Sequence, residues 1–270
     1  MRMGTKALLC AGAVGALVFA CATSPLGRKQ LILVDDAQMS QMGAQAFEQL
    51  KSEGKISSDS ATNAYVSCTA RAITAQLPGE MAGDWEVRVF EDDSANAFAL
   101  PGNKIGVHTG LLPVTKNQDQ LATVIGHEVG HVLARHGAER VSNQMVAQGG
   151  VEIAGAILGA TGDPSSPLHG IAMEALGVGA GLGTMAYGRK QESEADLYGL
   201  ELMARAGFDP RQSVPLWENM AAAAGGDRPP EILSTHPAPE NRIRDLQARI
   251  PEVLPLMEQA RAAGRRPRCG

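Results

Sequence analysis

One apolar stretch, Val124 to Leu133, constrains this chain more than any other because it carries the pattern His127-Glu128-x-x-His131. On a helix, histidines four residues apart leave the same face. Both rings can then hold one metal ion, with Glu128 on the flank. This is the composition of a zinc site with its own general base: His127 and His131 as ligands, Glu128 as proton acceptor. Two core-flanking histidines beside a surface glutamate would show the same five residues, so the rest of the chain has to decide. Leu121, Val124, Ile125, Val129, Val132 and Leu133 form a buried stripe, which sets the metal face at the edge of the core. Asn117 followed by Gln120 reads as the helix start. Gly126 and Gly130 lie away from Glu128, and each costs about 1 kcal/mol against alanine in a helix. A second element is therefore expected to meet the helix there at close backbone range.

A catalytic zinc takes three protein ligands and keeps a position for water. The acids of Gly188 to Gly199 supply the third. Glu192 and Asp196 are four apart and share a helix face, while Glu194 points elsewhere. One acid can ligate the metal while the other accepts the free ring N–H of a ligating histidine and fixes its tautomer. We take Glu192 as ligand and Asp196 as that acceptor, and expect Glu194, His136 and His169 to be solvated.

Around these motifs the sequence reads as two helices, Asp35–Leu50 and Asp59–Leu77, each with a helical apolar stripe. Period-two alternation follows over 85–109, with a turn at Pro101-Gly102-Asn103, and predicts a small antiparallel sheet of about three strands. Aromatic content is only 4% and glycine numbers 31, so the core must use small side chains at close helix contacts. The apolar halves 151–160 and 171–186, separated by a loop at 161–167, are each too short to span a bilayer core of about 30 Å.

The first 20 residues read as a targeting segment: Arg2 and Lys6 precede the apolar run Ala7–Ala20, and Cys21 follows. The arrangement resembles a bacterial lipoprotein signal with Cys21 as the lipidated residue. Ala22 in place of aspartate resembles the outer-membrane sorting class. Cys68 and Cys269 then remain, and in an oxidising compartment they are expected to pair. The formal charge of −5 argues against non-specific nucleic-acid binding. The arginines at 261, 265, 266 and 268 read as a solvated basic tail.

Five motifs stand in one order: Asn96-Ala-Phe-Ala-Leu-Pro-Gly102, Thr109-Gly-Leu-Leu112, Gly126-His-Glu-Val-Gly-His131, Glu192-Ser-Glu-Ala-Asp196 and His236-Pro-x-x-x-x-Arg242-Ile243. Over most of residues 30–250 the chain resembles the HtpX-like, BepA-like and LoiP-like zinc metalloendopeptidases. It departs from their pattern at Asn103, where a second glycine is common, and at His108, where a tyrosine is common. With no room for a C-terminal helical-repeat domain, it is most similar to the short LoiP-like lipoproteins. The resemblance implies an α+β, mainly helical zincin-like metalloprotease domain, with the small sheet beside the His-Glu-x-x-His helix. It also implies one Zn2+ on His127, His131 and Glu192, with Glu128 as base. His236 is then expected to stabilise an oxyanion or to occupy zinc's open position, supported by Arg242.

An extended substrate would lie along Asn96, Ala97 and Phe98 as an added strand, with weak sequence preference. The expected organisation is a signal over 1–20, a lipid-anchored tether over 21–30, the peptidase domain over 31–255 and the basic tail over 256–270. The expected activity is hydrolysis of misfolded or unassembled envelope proteins on the periplasmic side, at the outer membrane. The competing reading is a membrane-tethered chaperone or assembly factor with a latent zinc site.

Overall fold

A computed structural model describes residues 21–157, 170–171, 173, 176, 188–224, 230–236 and 240–270. The expected signal segment, the loop at 161–167, most of the apolar half 171–186, and His169 lie outside the described residues.

The first described residues form a ribbon where the sequence reads as a tether. Strands β1 (Cys21–Thr23) and β2 (Lys29–Leu31) pair antiparallel around a turn in which Gly27 adopts φ 87°. Ser24 and Gln30 are buried, and Gln30 donates a 2.7 Å hydrogen bond to the Ala134 carbonyl. Polar side chains, which the sequence presents as solvated linker, are what seat this ribbon on the core.

Helix α1 (Asp36–Glu53) starts on a capping box between Asp35 and Gln38 and buries Met39, Met42, Ala46, Phe47 and Leu50. Helix α2 (Ser60–Thr74) is capped by Asp59, whose carboxylate accepts from the Thr62 amide at 2.6 Å. Three strands follow, β3 (Glu86–Phe90), β4 (Ala97–Leu100) and β5 (Lys104–His108), in the spatial order β3–β5–β4. The β4–β5 hairpin is antiparallel, as expected, whereas β3 runs parallel to β5. Period-two alternation is the same in both directions of pairing, so sequence pattern could not distinguish them. The hairpin turn places Gly102 at φ 81° and Asn103 at φ 62°. Asparagine tolerates this left-handed backbone, which accounts for the departure from glycine there.

Helix α3 (Gln118–Leu133) carries the His-Glu-x-x-His pattern and is capped by Asn117, which accepts from the Gln120 amide at 3.0 Å. The chain reverses at Arg135, φ 56°, and enters α4 (His136–Ile157) at once. Helix α5 (Arg189–Ala206) ends on Gly207, whose φ of 93° closes the helix. Helices α6 (Ser213–Ala224), α7 (Ile232–Thr235) and α8 (Glu240–Ala262) complete the fold. The main core lies between α2, the sheet, α3, α5, α6 and α8.

The residues read as a basic tail are held down. Met257 and Ala260 are buried, and Arg261 Nε donates to the Gly207 carbonyl at 2.8 Å. Cys269 is joined to Cys68 by a disulfide that closes a sequence separation of 201 residues. Arg265, Arg266 and Arg268 are exposed, as expected of a basic run, while Arg261 and the helix that continues past Pro255 pack against the core. No helix among the described residues is long and apolar enough to cross a membrane.

Candidate active site

The ligand helices approach at backbone range where glycines face each other. A Cβ built on Gly126 would lie 2.9 Å from the Gly199 carbonyl oxygen, and one on Gly130 would lie 2.8 Å from that of Ala195. A Cβ on Gly199 would in turn lie 2.7 Å from the His127 nitrogen. The glycines expected to meet another element at close range therefore meet α5, and that contact sets His127 and His131 against Glu192 and Asp196.

Four donor atoms, from His127, His131, Glu192 and His236, lie within 4.8 Å of one another, and all four residues are buried. His131 Nε2 is 3.1 Å from His127 Nε2, which is 3.2 Å from His236 Nδ1. Glu192 Oε1 lies 2.9 Å from His236 Nδ1 and 3.5 Å from His131 Nε2.

Proton accounting tests whether this set suits a metal. His127 Nδ1 is 2.9 Å from Asp196 Oδ1, an acceptor only, so the ring proton belongs on Nδ1. Its Nε2 lone pair then points into the cluster. His136 Nε2 likewise faces Glu194 Oε2 at 3.0 Å, which leaves His136 Nδ1 to accept from His131 Nδ1 at 2.8 Å. Thus His131 Nε2 also presents a lone pair to the cluster. Two imidazole lone pairs converging beside a carboxylate are the donor set of a cation site, and the N/O composition suits zinc.

The surrounding carboxylates draw positive charge to the cluster, a proton on His127 in the metal-free protein or a cation in its place. Burial works against a charged His127 ring, yet the Asp196 and Glu192 carboxylates outweigh it and raise its pKa. Burial and the neighbouring histidines hold His131 neutral, with its pKa well below the ordinary value. For Glu192, burial favours the acid, but His236, His127 and Arg242 overcome this and keep it ionised.

Arg242 underlies the whole arrangement. Its Nε and Nη2 donate to the two Asp196 oxygens at 2.7 and 2.6 Å, its Nη1 lies 2.8 Å from Glu192 Oε2, and its guanidinium lies 4.0 Å from the Trp217 ring centroid. Trp217 is missing from the sequence reading. A tryptophan on an apolar helix gives no signal that it will cover an arginine.

Glu128 Oε1 lies 3.5 Å from His236 Nε2 and makes no hydrogen bond among the described residues. Burial raises its pKa, tempered by His236 and His127. Together with His131 and His236 it borders a cleft of about 540 Å³ whose other wall is β4 and its turn, Asn96 to Asn103. Among the described residues strand β4 is an edge of the sheet. Asn96 turns its carbonyl toward the His108 amide at 3.0 Å, so by alternation Ala97 and Ala99 turn their backbone groups away from β5. Phe98 lies over Gly106, which has no room for a Cβ beneath the ring, and packs against Phe47 and Phe90.

Two expectations are corrected. His136 is fully buried and Glu194 nearly so, because they bond each other and because Arg28 and Ser24 of the ribbon close over Glu194.

A model of Peptidase family M48 matches residues 46–250. The chain belongs to peptidase family M48. Among M48-type relatives, the mitochondrial metalloendopeptidase OMA1 of Schizosaccharomyces pombe is 36% identical over 216 residues, covering 78% of this chain and 61% of that protein. OMA1 of Arabidopsis thaliana is 38% identical over 199 residues, covering 73% of this chain and 37% of that one. The beta-barrel assembly-enhancing protease of Escherichia coli is 29% identical over 226 residues, covering 83% and 46%. The chain thus spans between 37% and 61% of the length of these relatives. The expected fold class, α+β and mainly helical with a small sheet beside the ligand helix, is the one observed.

Proposed function

We propose that this chain is a zinc metalloendopeptidase that hydrolyses peptide bonds in misfolded or unassembled proteins of the cell envelope. In this reading residues 31–255 form the peptidase domain, and a lipid on Cys21, exposed by removal of residues 1–20, holds the protein on the periplasmic side of the outer membrane. The observation that carries it is one cleft bordered on one side by the ligand cluster and the buried Glu128 carboxylate, and on the other by a strand that is a sheet edge among the described residues. The relative named as a beta-barrel assembly-enhancing protease supports the envelope setting.

His127, His131 and Glu192 would hold the zinc. The metal, when bound, supplies Lewis acidity toward the scissile carbonyl and a lowered pKa for the attacking water. Glu128 takes a proton from that water and delivers it to the leaving amine. Burial raises the pKa of this carboxyl group and so makes it a stronger base toward the water. His236, reaching the cluster from the segment after α7, shares the negative charge that develops on the carbonyl oxygen. Asp196 and Arg242 hold His127 and Glu192 in register. The substrate backbone adds to the outward-facing Ala97 carbonyl and the backbone groups of Ala99, the Ala97 N–H being held by Asn96 Oδ1 at 2.9 Å, so recognition depends on extended backbone and selects unfolded segments.

The position of His236 Nδ1, 3.2 Å from His127 Nε2 and 2.9 Å from Glu192, also supports a second reading. There His236 completes the ligand set, and the protein acts as a chaperone with a latent site. Degradation of an unfolded casein, with and without chelator, separates the two. Glu128→Gln should keep zinc and lose cleavage by at least a hundredfold. Cleavage retained in that variant would overturn the assigned base, and wild-type protein that binds zinc but never cleaves would favour the chaperone.

A further inference from the structure

We propose that His136 and Glu194 are positioning residues for the metal site: they fix the ring proton of His131 on Nδ1, and Ser24 and Arg28 of the N-terminal ribbon hold Glu194 in place to do so. The inference rests on the zinc-site reading above and extends it to four residues with no role in that reading.

The geometry comes from three separate parts of the chain. The reversal at Arg135 puts His136, the first residue of α4, directly behind His131, with their Nδ1 atoms 2.8 Å apart. Glu194 reaches this point from α5, with its Oε2 at 3.0 Å from His136 Nε2. Ser24 donates to Glu194 Oε1, and Arg28 Nε donates to Oε2 at 2.9 Å. The other face of the Arg28 guanidinium makes two bonds to Glu139, at 2.6 and 2.7 Å. Glu139 also accepts from Gln191 at 2.7 Å, within the first turn of α5. The ribbon therefore clamps the start of α4 to the start of α5 behind the metal site.

Chemistry gives this array a direction. A neutral imidazole donates from one nitrogen and accepts at the other, and an ionised carboxylate only accepts. Glu194 therefore sets the His136 tautomer, and His136 sets that of His131. The result matches what Asp196 does directly to His127. An acid that acts through an intervening ring can be placed farther from the metal, within reach of the ribbon. Removing partners that orient a ligating histidine costs about 10–100-fold in metal affinity.

The test uses the full chain and zinc itself. Zinc affinity is measured by competition with a chromophoric chelator, and histidine tautomers by ¹⁵N-resolved NMR of the zinc-loaded and metal-free protein. Wild type should show His131 protonated at Nδ1. His136→Phe and Glu194→Leu should weaken zinc about 10–100-fold and remove that signature. His136→Gln and Glu194→Gln, which keep an acceptor, should restore most of both. Arg28→Leu should give a smaller loss in the same direction.

Wild-type protein with His131 protonated at Nε2 would overturn the proposal even if the His136 and Glu194 variants failed to fold. So would unchanged zinc affinity in folded His136→Phe, with the zinc site itself left standing. Wild-type protein that binds no zinc at this cluster would overturn the site reading, and the proposal with it.

Discussion

The two ligand histidines of α3 are held by arms of different construction. His127 meets its acid directly: Asp196 lies on the neighbouring helix, and Arg242 neutralises it from α8. His131 meets its acid through a second ring, His136, and the neutralising cation, Arg28, comes from the connection between β1 and β2. Both arms run ring, acid, arginine. The first is short and entirely buried, whereas the second is longer and ends in a partly exposed guanidinium. A direct buried arm should fail abruptly when cut, and an indirect one by degrees.

The sharpest break is Asp196→Ala. It leaves the Arg242 guanidinium buried without its bidentate partner, an arrangement that costs about 3–5 kcal/mol, and it frees the His127 tautomer. Unfolding with denaturant should show that loss of stability, together with a loss of zinc larger than any single cut in the His131 arm produces. Comparable losses from Asp196→Ala and Glu194→Leu would remove the distinction between the arms.

Gly130→Ala strikes both arms at once. The new Cβ would contact the Ala195 backbone, which can yield only if α3 and α5 separate. Overpacking of this kind costs about 1–3 kcal/mol, and zinc affinity should fall with the stability. Unchanged affinity in a destabilised variant would show that the arms hold the ligands independently of the helix contact.

Acid titration gives the smallest and most selective effect. Burial would raise the Asp196 pKa, but Arg242 and His127 draw it down from 3.8 to about 2. A depressed folded-state value contributes stability that is fully present above the unfolded value and disappears as pH falls through the folded one. The Asp196–Arg242 contribution should therefore persist undiminished above about pH 4 and vanish toward pH 2. Melting curves of wild type and Asp196→Asn should accordingly converge in that window. Curves that stay equally far apart down to pH 2 would assign the effect to packing.

The same comparison explains what the sequence could convey. His127, Glu128 and His131 lie within five residues, and Glu192 and Asp196 within another five, so helical spacing alone placed them on faces. Gly126 and Gly130 were legible through their cost in a helix. The His131 arm joins residues 24, 28, 136 and 194, which share no period, and each of them taken singly is an ordinary surface residue type. Ser24 and Arg28 also precede the stretch that matches the family model. The parallel pairing of β3 and the seated ribbon escaped for a related reason: each depends on a partner more than 15 residues away along the chain, whereas the Cys68–Cys269 bridge was legible because two cysteines remained once Cys10 and Cys21 were assigned to the signal and anchor.

The glycine seam between α3 and α5 bears on how the protein can change. Where side chains separate two helices, each core substitution alters their spacing a little, and the ligands drift with it. Here backbone rests on backbone at Gly126, Gly130, Ala195 and Gly199, so the spacing is set by atoms that every sequence shares. The separation of the metal ligands therefore depends on Gly126, Gly130 and Gly199, where a single added methyl group has to push the helices apart.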